Sequence, residues 1–325
     1  MVAPSKNSVT LQEVDERSAE QRIDNYLSRL LKGVPRSHVY RILRSGEVRV
    51  NSRRVDATYR LKPGDQVRVP PVRTAVRAET TTAGPVPSRL VPPTLFEDDW
   101  LLAVDKPSGL AVHGGSGVAR GVIELLRQTG RTPFLELVHR LDRETSGVLL
   151  LAKKRGALTR LHELLRAGQV EKRYLVFVRG RWRDARRRVS LPLHKFVTAA
   201  GERRVSVRAD GQESDTVFTL IERLGDFSLL EAQLGTGRTH QIRVQLSHLG
   251  YPVAGDDKYG DFELNRELTR TGLKRMFLHA WRLAFEHPMT AAPVDLTAAL
   301  PPDLQRFLQA QGASSPIVAE RPSHV

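Results

Sequence analysis

The sequence predicts an α+β protein with mainly antiparallel strands in its larger, C-terminal part. Three observations carry that expectation. At 325 residues the chain is long enough for two domains with a sizeable core. A stretch rich in Pro, Thr, Ala and Arg, residues 71–94, has no sustained apolar period and reads as a flexible linker. Beyond it, strand-like, turn and helix-like segments mix without the regular alternation of a doubly wound parallel sheet.

Residues 1–19 read as an N-terminal extension and residues 20–70 as a small domain of their own. In RIDNYLSRLL, Ile23, Tyr26, Leu27, Leu30 and Leu31 share one helical face, and Lys32-Gly33 ends it. A second short helix starts after Pro35-Arg36-Ser37, turns Val39, Ile42 and Leu43 inward and stops at Gly46. Short strands follow: Val48 and Val50 alternate with charged neighbours, Asn51-Ser52 supplies a turn, and Pro63-Gly64-Asp65 turns into Val67 and Val69.

The larger domain spans residues 95–310. Trp100 to Val104 reads as a strand, Ala157, Leu158, Leu161, Leu164 and Leu165 form a helical stripe, and Tyr174 to Val178 returns to strand. Phe218 to Glu222 and Phe227 to Leu234 look like paired strands. Ile242, Leu246 and Leu249 mark a short helix that Gly250 closes, with Gly235 and Gly237 turning the backbone before it. Residues 311–325 are polar, carry Pro and Ser, and read as a disordered tail. Within this domain HRLDRETSGVLLLAK, from His139, sets Asp142 between two arginines. Thr145, Ser146 and Gly147 form a turn cluster and Val148 to Ala152 a buried strand, so Asp142 should sit on a loop at the mouth of a sheet. A carboxylate held by cations stays ionised at neutral pH and can act as a nucleophile or base. By itself an Arg-Leu-Asp-Arg segment is more often a surface ion pair.

Charge narrows the partner. The formal net charge is +15, with a pI near 10.6, which favours a polyanion such as nucleic acid over an acidic small molecule. Of 51 basic residues 41 are Arg, whose guanidinium fork suits bidentate phosphate contacts. From Glu20 to Pro70 there are 12 basic and 5 acidic residues, a net of +7. Arg36, Arg41, Arg44, Arg49, Arg53 and Arg54 are too many for a core, and some should lie together on the surface. No run of 18 apolar residues and no signal-peptide core is present, so a soluble, cytoplasmic protein without membrane contact is expected. Without cysteine there is no disulfide and no thiolate site. His113, His139, His162 and His240 form no recognised ligand spacing, and Walker and dinucleotide fingerprints are absent, so neither metal nor cofactor is expected.

Two resemblances make the reading specific. RIDNYL, PRS, SGEVRVN and LKPGDQV resemble the S4 RNA-binding module, which implies docking on structured RNA through phosphates. DKPSGLAVHGGSG from Asp105, HRLDRETSGVLLLAK, VEKRYLVFVRG from Val170 and GTGRTHQIRVQL from Gly235 resemble, in that order, the RluA family of pseudouridine synthases. KPSGLAVHGGSG, LLLAKKRGALTRLHELLR and GDDKYGDFELNRELT are similar to its RluC-type branch, whose members modify uridines in large-subunit ribosomal RNA. The fold so implied is a mixed but mainly antiparallel sheet with helices around a central cleft, joined to a small α/β S4-like domain.

The same resemblance implies roles. Asp142 matches the family's essential aspartate, Tyr174 its active-site tyrosine and Arg243 the basic residue that would hold the aspartate through a bidentate contact. Arg140 resembles the arginine that supports the flipped nucleotide, while Arg238, Thr239 and His240 would meet phosphate or base at a helix start. His139 would fix the loop by a backbone hydrogen bond. Arg36, Arg41, Arg44, Arg53 and Arg54 would bind RNA from the S4-like domain. The expected reaction breaks the N1–C1′ bond of uridine, turns the uracil and joins C5 to C1′ without a cofactor. Asp142 would attack C1′, remove a sugar proton or add to the ring, and the residues leave these routes open. The expected partner is large-subunit rRNA or a pre-ribosomal particle, the expected state a monomer. A non-catalytic S4-type ribosome-assembly factor and an RNA glycosidase releasing uracil are the alternatives.

Overall fold

A computed structural model describes residues 9–31, 34, 36–72, 90–114, 120–130, 132–199 and 201–313. Most of the expected linker and tail, residues 73–89 and 314–325, lie outside the described residues, as does the Lys32-Gly33 stop. The chain forms two compact units, Met1–Pro85 and Val86–Val325.

The first unit contains β1 (Thr10–Glu13), α1 (Ile23–Leu30), α2 (Arg36–Arg44), β2 (Arg49–Val50) and β3 (Gln66–Val69), with sheet order β1-β3-β2. Ile23, Tyr26 and Leu27 of α1 pack with Val39, Ile42 and Leu43 of α2 against Val50, Val67 and Val69, the faces that helical and strand periods select. Asn51 and Ser52 take φ of 49° and 64°, the left-handed pair that a tight two-residue hairpin turn requires. The first strand corrects the reading of residues 1–19 as an extension, because Thr10–Glu13 pairs antiparallel with β3. TLQE has one apolar residue and no period to betray it.

The second unit runs β4 (Thr94–Glu97), β5 (Leu101–Lys106), α3 (Val122–Gln128), β6 (Glu136–Leu137), β7 (Ser146–Ala152), α4 (Arg155–Arg166), β8 (Glu171–Arg179), β9 (Arg186–Val197), β10 (Arg203–Val207), β11 (Gln212–Leu224), β12 (Phe227–Leu234), α5 (Gln241–His248), α6 (Phe262–Arg270), β13 (Leu278–Glu286), β14 (Pro293–Thr297) and α7 (Pro302–Ala310). Among the described residues its sheet has eleven strands in the order β10-β9-β11-β12-β8-β13-β7-β5-β4, with β14 beside β13 and β6 beside β7. Every pairing is antiparallel except β13 with β7. The fold is thus the mainly antiparallel mixed sheet that the sequence predicts.

Alternation explains why β7 and β8 read as continuous apolar runs. On one face Leu149 and Leu151 join Tyr174, Val176 and Val178 under Ile242 and Leu246 of α5. On the other, Val148 and Leu150 pack on Ala157, Leu158 and Leu161 of α4, and Leu175 and Phe177 pack on Leu304, Phe307 and Leu308 of α7. Strands covered on both faces need apolar residues at every position.

The expected turn at Thr145–Gly147 lies slightly earlier. Thr145 N–H donates to Asp142 O at 3.2 Å, and Ser146 already begins β7. Gly147, at φ +111°, pairs with Ala280 across the parallel junction, where a Cβ would stand 2.1 Å from the Ala280 carbonyl oxygen. Gly147→Ala is therefore expected to destabilise the fold by about 3 kcal/mol through combined strain and overlap. Thermal unfolding checks this, and an unchanged midpoint would contradict it.

Candidate active site

Two loops are stitched together to place Asp142 ahead of β7. Lys106, fully buried at the end of β5, donates from Nζ to the carbonyls of Pro107 and Leu110, both at 2.8 Å, and of Arg143 at 3.0 Å. Burial, helped by the Arg275 charge, pulls its pKa down to about 7. Gly109 N–H donates to Arg143 O at 2.9 Å, Arg143 Nε returns a bond to Gly109 O at 2.9 Å, and Ser108 Oγ donates to Glu144 O at 2.7 Å. His139 accepts from Leu150 N–H at Nε2, 3.1 Å away, the loop-fixing role expected of it. Its pKa falls to about 4 through burial and the Lys172 charge, so it is a neutral acceptor.

Helix α5 brings the opposing cation. Ile242 and Leu246 enter the core, while Gln241 and Gln245 bind the sheet through hydrogen bonds: Gln241 Nε2 to Asp215 O and Thr216 Oγ1, each 2.9 Å, and Thr216 Oγ1 to Gln245 Oε1 at 2.6 Å. Arg243, on the remaining side, is buried and points to Asp142. Its Nη1 donates to Asp142 Oδ2 at 3.1 Å.

The bidentate contact expected between Arg243 and Asp142 goes elsewhere. Nε and Nη2 of Arg243 grip the two oxygens of Asp256, both at 2.7 Å, leaving one N–H arm for Asp142. Burial opposes charge on both partners. Mutual contact, with N–H bonds from Lys258 and Tyr259, nevertheless holds Asp256 below the usual carboxylate range and Arg243 above its ordinary value. A guanidinium fixed on one side aims its free arm without reorganisation. Asp256 is not among the residues the sequence singles out; its position in GDDKYG is the available signal.

A cleft of about 720 Å³ opens over these groups, lined by Asp142, Tyr174 and Arg243 together with Arg140, Arg238 and His240. The structure thus brings these six expected residues together, whereas Thr239, expected beside Arg238 and His240, is exposed and does not line the cleft. Tyr174 is 8% exposed and belongs to the core while facing the cleft. Burial, aided by the Asp142 charge, raises its phenol pKa, so the hydroxyl stays protonated at neutral pH. Arg140 is exposed. Arg238 donates from Nε to Glu213 O at 3.0 Å. His240 differs from the expected open helix start: it takes φ 53°, its Nδ1 lies 2.8 Å from Tyr259 Oη, and its Nε2 is 4.0 Å from Asp142 Oδ1. Burial lowers its pKa against the pull of Asp142. Gly235 and Gly237 do not adopt positive φ. Gly235 is instead small because a Cβ would meet Asp215 Oδ2 at 2.7 Å.

In the first unit Arg44, Arg53 and Arg54 line a second cleft with Asn51 and Tyr59. Arg41 stands apart from it, 3.3 Å from His38 Nε2, and the Arg36 side chain lies outside the described residues. Among the described residues no three His, Asp or Glu side chains converge as metal ligands, and no helix is long and apolar enough to cross a membrane.

Comparison with known proteins agrees with this architecture. Residues 100–248 match the RNA pseudouridylate synthase family and residues 21–67 the S4 domain. The ribosomal large subunit pseudouridine synthase C of Pasteurella multocida is 50% identical over 306 residues, covering 93% of this chain and 94% of that protein. This chain belongs to the pseudouridine synthase family. The Escherichia coli K12 protein of the same name is also 50% identical, over 93% of this chain and 96% of its own length. Among solved structures, human RNA pseudouridylate synthase domain-containing protein 4 superposes with a TM-score of 0.57 at 26% identity, over 69% of this chain and 94% of its own. As a pseudouridine synthase the chain is an isomerase, and its S4 domain is an RNA-binding module.

Proposed function

We propose that this synthase converts uridines of large-subunit ribosomal RNA to pseudouridine, with Asp142 acting at the sugar, Tyr174 supporting the base and Arg243 holding the carboxylate. The observation that carries the reading is the single Arg243 arm on Asp142 inside a cleft walled by Tyr174. The rRNA target draws support from relatives, 50% identical, that are named for the large ribosomal subunit. A paired uridine cannot reach such a cleft, so the nucleotide is flipped out at a cost of a few kcal/mol, with Arg140 at the opening and the Tyr174 ring as stacking surface. Arg238 and His240 complete the contacts. Action as a monomer in the cytoplasm, where ribosomes are assembled, and without membrane contact is part of the same proposal.

Incubating the protein with large-subunit rRNA, naked and in assembling particles, tests this directly. Pseudouridine formed without change of mass is the expected product, whereas released uracil would point to a glycosidase and no reaction to a binding factor.

The S4 unit supplies affinity. With Arg41, Arg44, Arg53 and Arg54 all replaced by Ala, RNA binding is expected to weaken. The slope of log K against log salt should also flatten by roughly 0.7–0.9 for each phosphate that the variant no longer neutralises. A titration at several salt concentrations giving the wild-type slope would contradict the assignment.

A further inference from the structure

The cleft holds a buried cation to which the mechanism above gives no task. Lys172 precedes Tyr174 by two residues on β8, so both side chains leave the same face of the strand, and both line the cleft. It is 8% exposed, yet among the described residues no group accepts a hydrogen bond from it, and burial alone lowers its pKa. The other buried cations here are occupied: Lys106 by three carbonyls and Arg243 by two carboxylates. Its neighbour His139 is neutral and already accepts from the backbone. The Lys172 Nζ is not among the fully enclosed polar atoms, so it opens into the cleft. An ammonium largely stripped of water and without a protein partner is costly, and a ligand oxygen entering the cleft is the fitting complement.

Depth selects which oxygen. Phosphates of a flipped nucleotide stay near the opening, where Arg140, Arg166 and Arg238 are exposed; the base goes deepest, against Tyr174. We propose that Lys172 is a catalytic residue that binds a carbonyl oxygen of the flipped uracil and stabilises the negative charge the ring carries once the N1–C1′ bond is broken. This inference rests on the pseudouridine synthase reading of the cleft and deepens it.

The chemistry balances without a co-reactant. Whether Asp142 attacks C1′ or removes a sugar proton, the N1–C1′ electron pair departs with the ring and spreads over N1, O2 and O4. After rotation C5 bonds to C1′ as the Asp142–C1′ bond breaks on the first route, or as Asp142 returns the sugar proton on the second. C5 then loses its proton to solvent, and N1 takes one up. Turning uracil by half a revolution about the axis through N3 and C6 exchanges N1 with C5 and O2 with O4. One fixed donor on the wall can therefore hold a carbonyl oxygen before and after the turn. Lys172, anchored on a strand, is such a donor.

The test is single-turnover kinetics on large-subunit rRNA with K172M and K172R, alongside RNA affinity and thermal unfolding. K172M is expected to slow conversion of bound RNA by about 100-fold or more, the scale for losing one donor to a developing anion, with affinity little changed. K172R, which keeps the charge, should regain much of the rate. If K172M does not fold, K172Q is read in the same way. A K172M rate equal to wild type would overturn the proposal, as would weakened affinity with an unchanged rate, which would mark a phosphate contact. Equal loss in folded K172R and K172M would also overturn it. A wild-type protein inactive on every rRNA would instead sink the functional reading itself.

Discussion

Asp142→Asn is expected to abolish pseudouridine formation, by about 10,000-fold or more, while RNA binding and folding stay near wild type. The magnitude is that seen when a residue is removed from a catalytic set that acts as a unit. The substitution keeps size and one oxygen but removes the charge that would attack C1′ or take a sugar proton. Folding should be spared because Arg243 retains its two bonds to Asp256, and Asp142 is only half-buried. Single-turnover assays with binding measured in parallel decide the matter. Activity of more than a few per cent would remove Asp142 from the chemistry.

The second large effect is expected at Asp256, which the proposed mechanism uses only through Arg243. Asp256→Ala leaves a buried guanidinium with its single bond to Asp142 and its long contact, 3.8 Å, to exposed Asp257. Removing one partner from a buried ion pair costs about 3–5 kcal/mol, a fall in melting temperature on the order of 10 °C for a unit of this size. Activity should fall in the folded fraction as well, because the arm that reaches Asp142 loses its anchor, and Asp256→Asn should recover part of both. The pair also has a defined pH signature. Since the folded-state pKa of Asp256 lies below its ordinary value of 3.8, its stabilisation is fully present above that value and is lost as pH falls through the folded pKa. The stability gap between wild type and Asp256→Ala should therefore close in acid. An Asp256→Ala protein that melts with wild type at neutral pH would contradict the pairing.

What the sequence makes legible is what local pattern encodes. The helix after Gly237, the strands at Tyr174 and Phe227 and the S4 helices all follow from apolar periods, and the cleft residues from four motifs in order. Long-range pairing leaves no such trace: nothing in LHAWRLAFE says that β13 inserts between β7 and β8 and runs parallel to β7. The hairpin of β9 and β10 is hidden because few of its residues are buried, and polar and charged residues interrupt any apolar alternation. Asp256 escapes because its partner is separated from it by a loop and is recognisable only in space. Lys106 and Lys172 each stand inside a motif, but a lysine in sequence reads as surface, and only burial shows one clipping loops and the other facing the cleft.

The most direct test is a map of pseudouridine in large-subunit rRNA from cells that lack this protein, compared with cells supplied with the wild-type chain or the Asp142→Asn chain. Specific positions should read as uridine without the protein, return to pseudouridine with the wild type and remain uridine with Asp142→Asn. An unchanged map in its absence, or full restoration by Asp142→Asn, would contradict the proposed function.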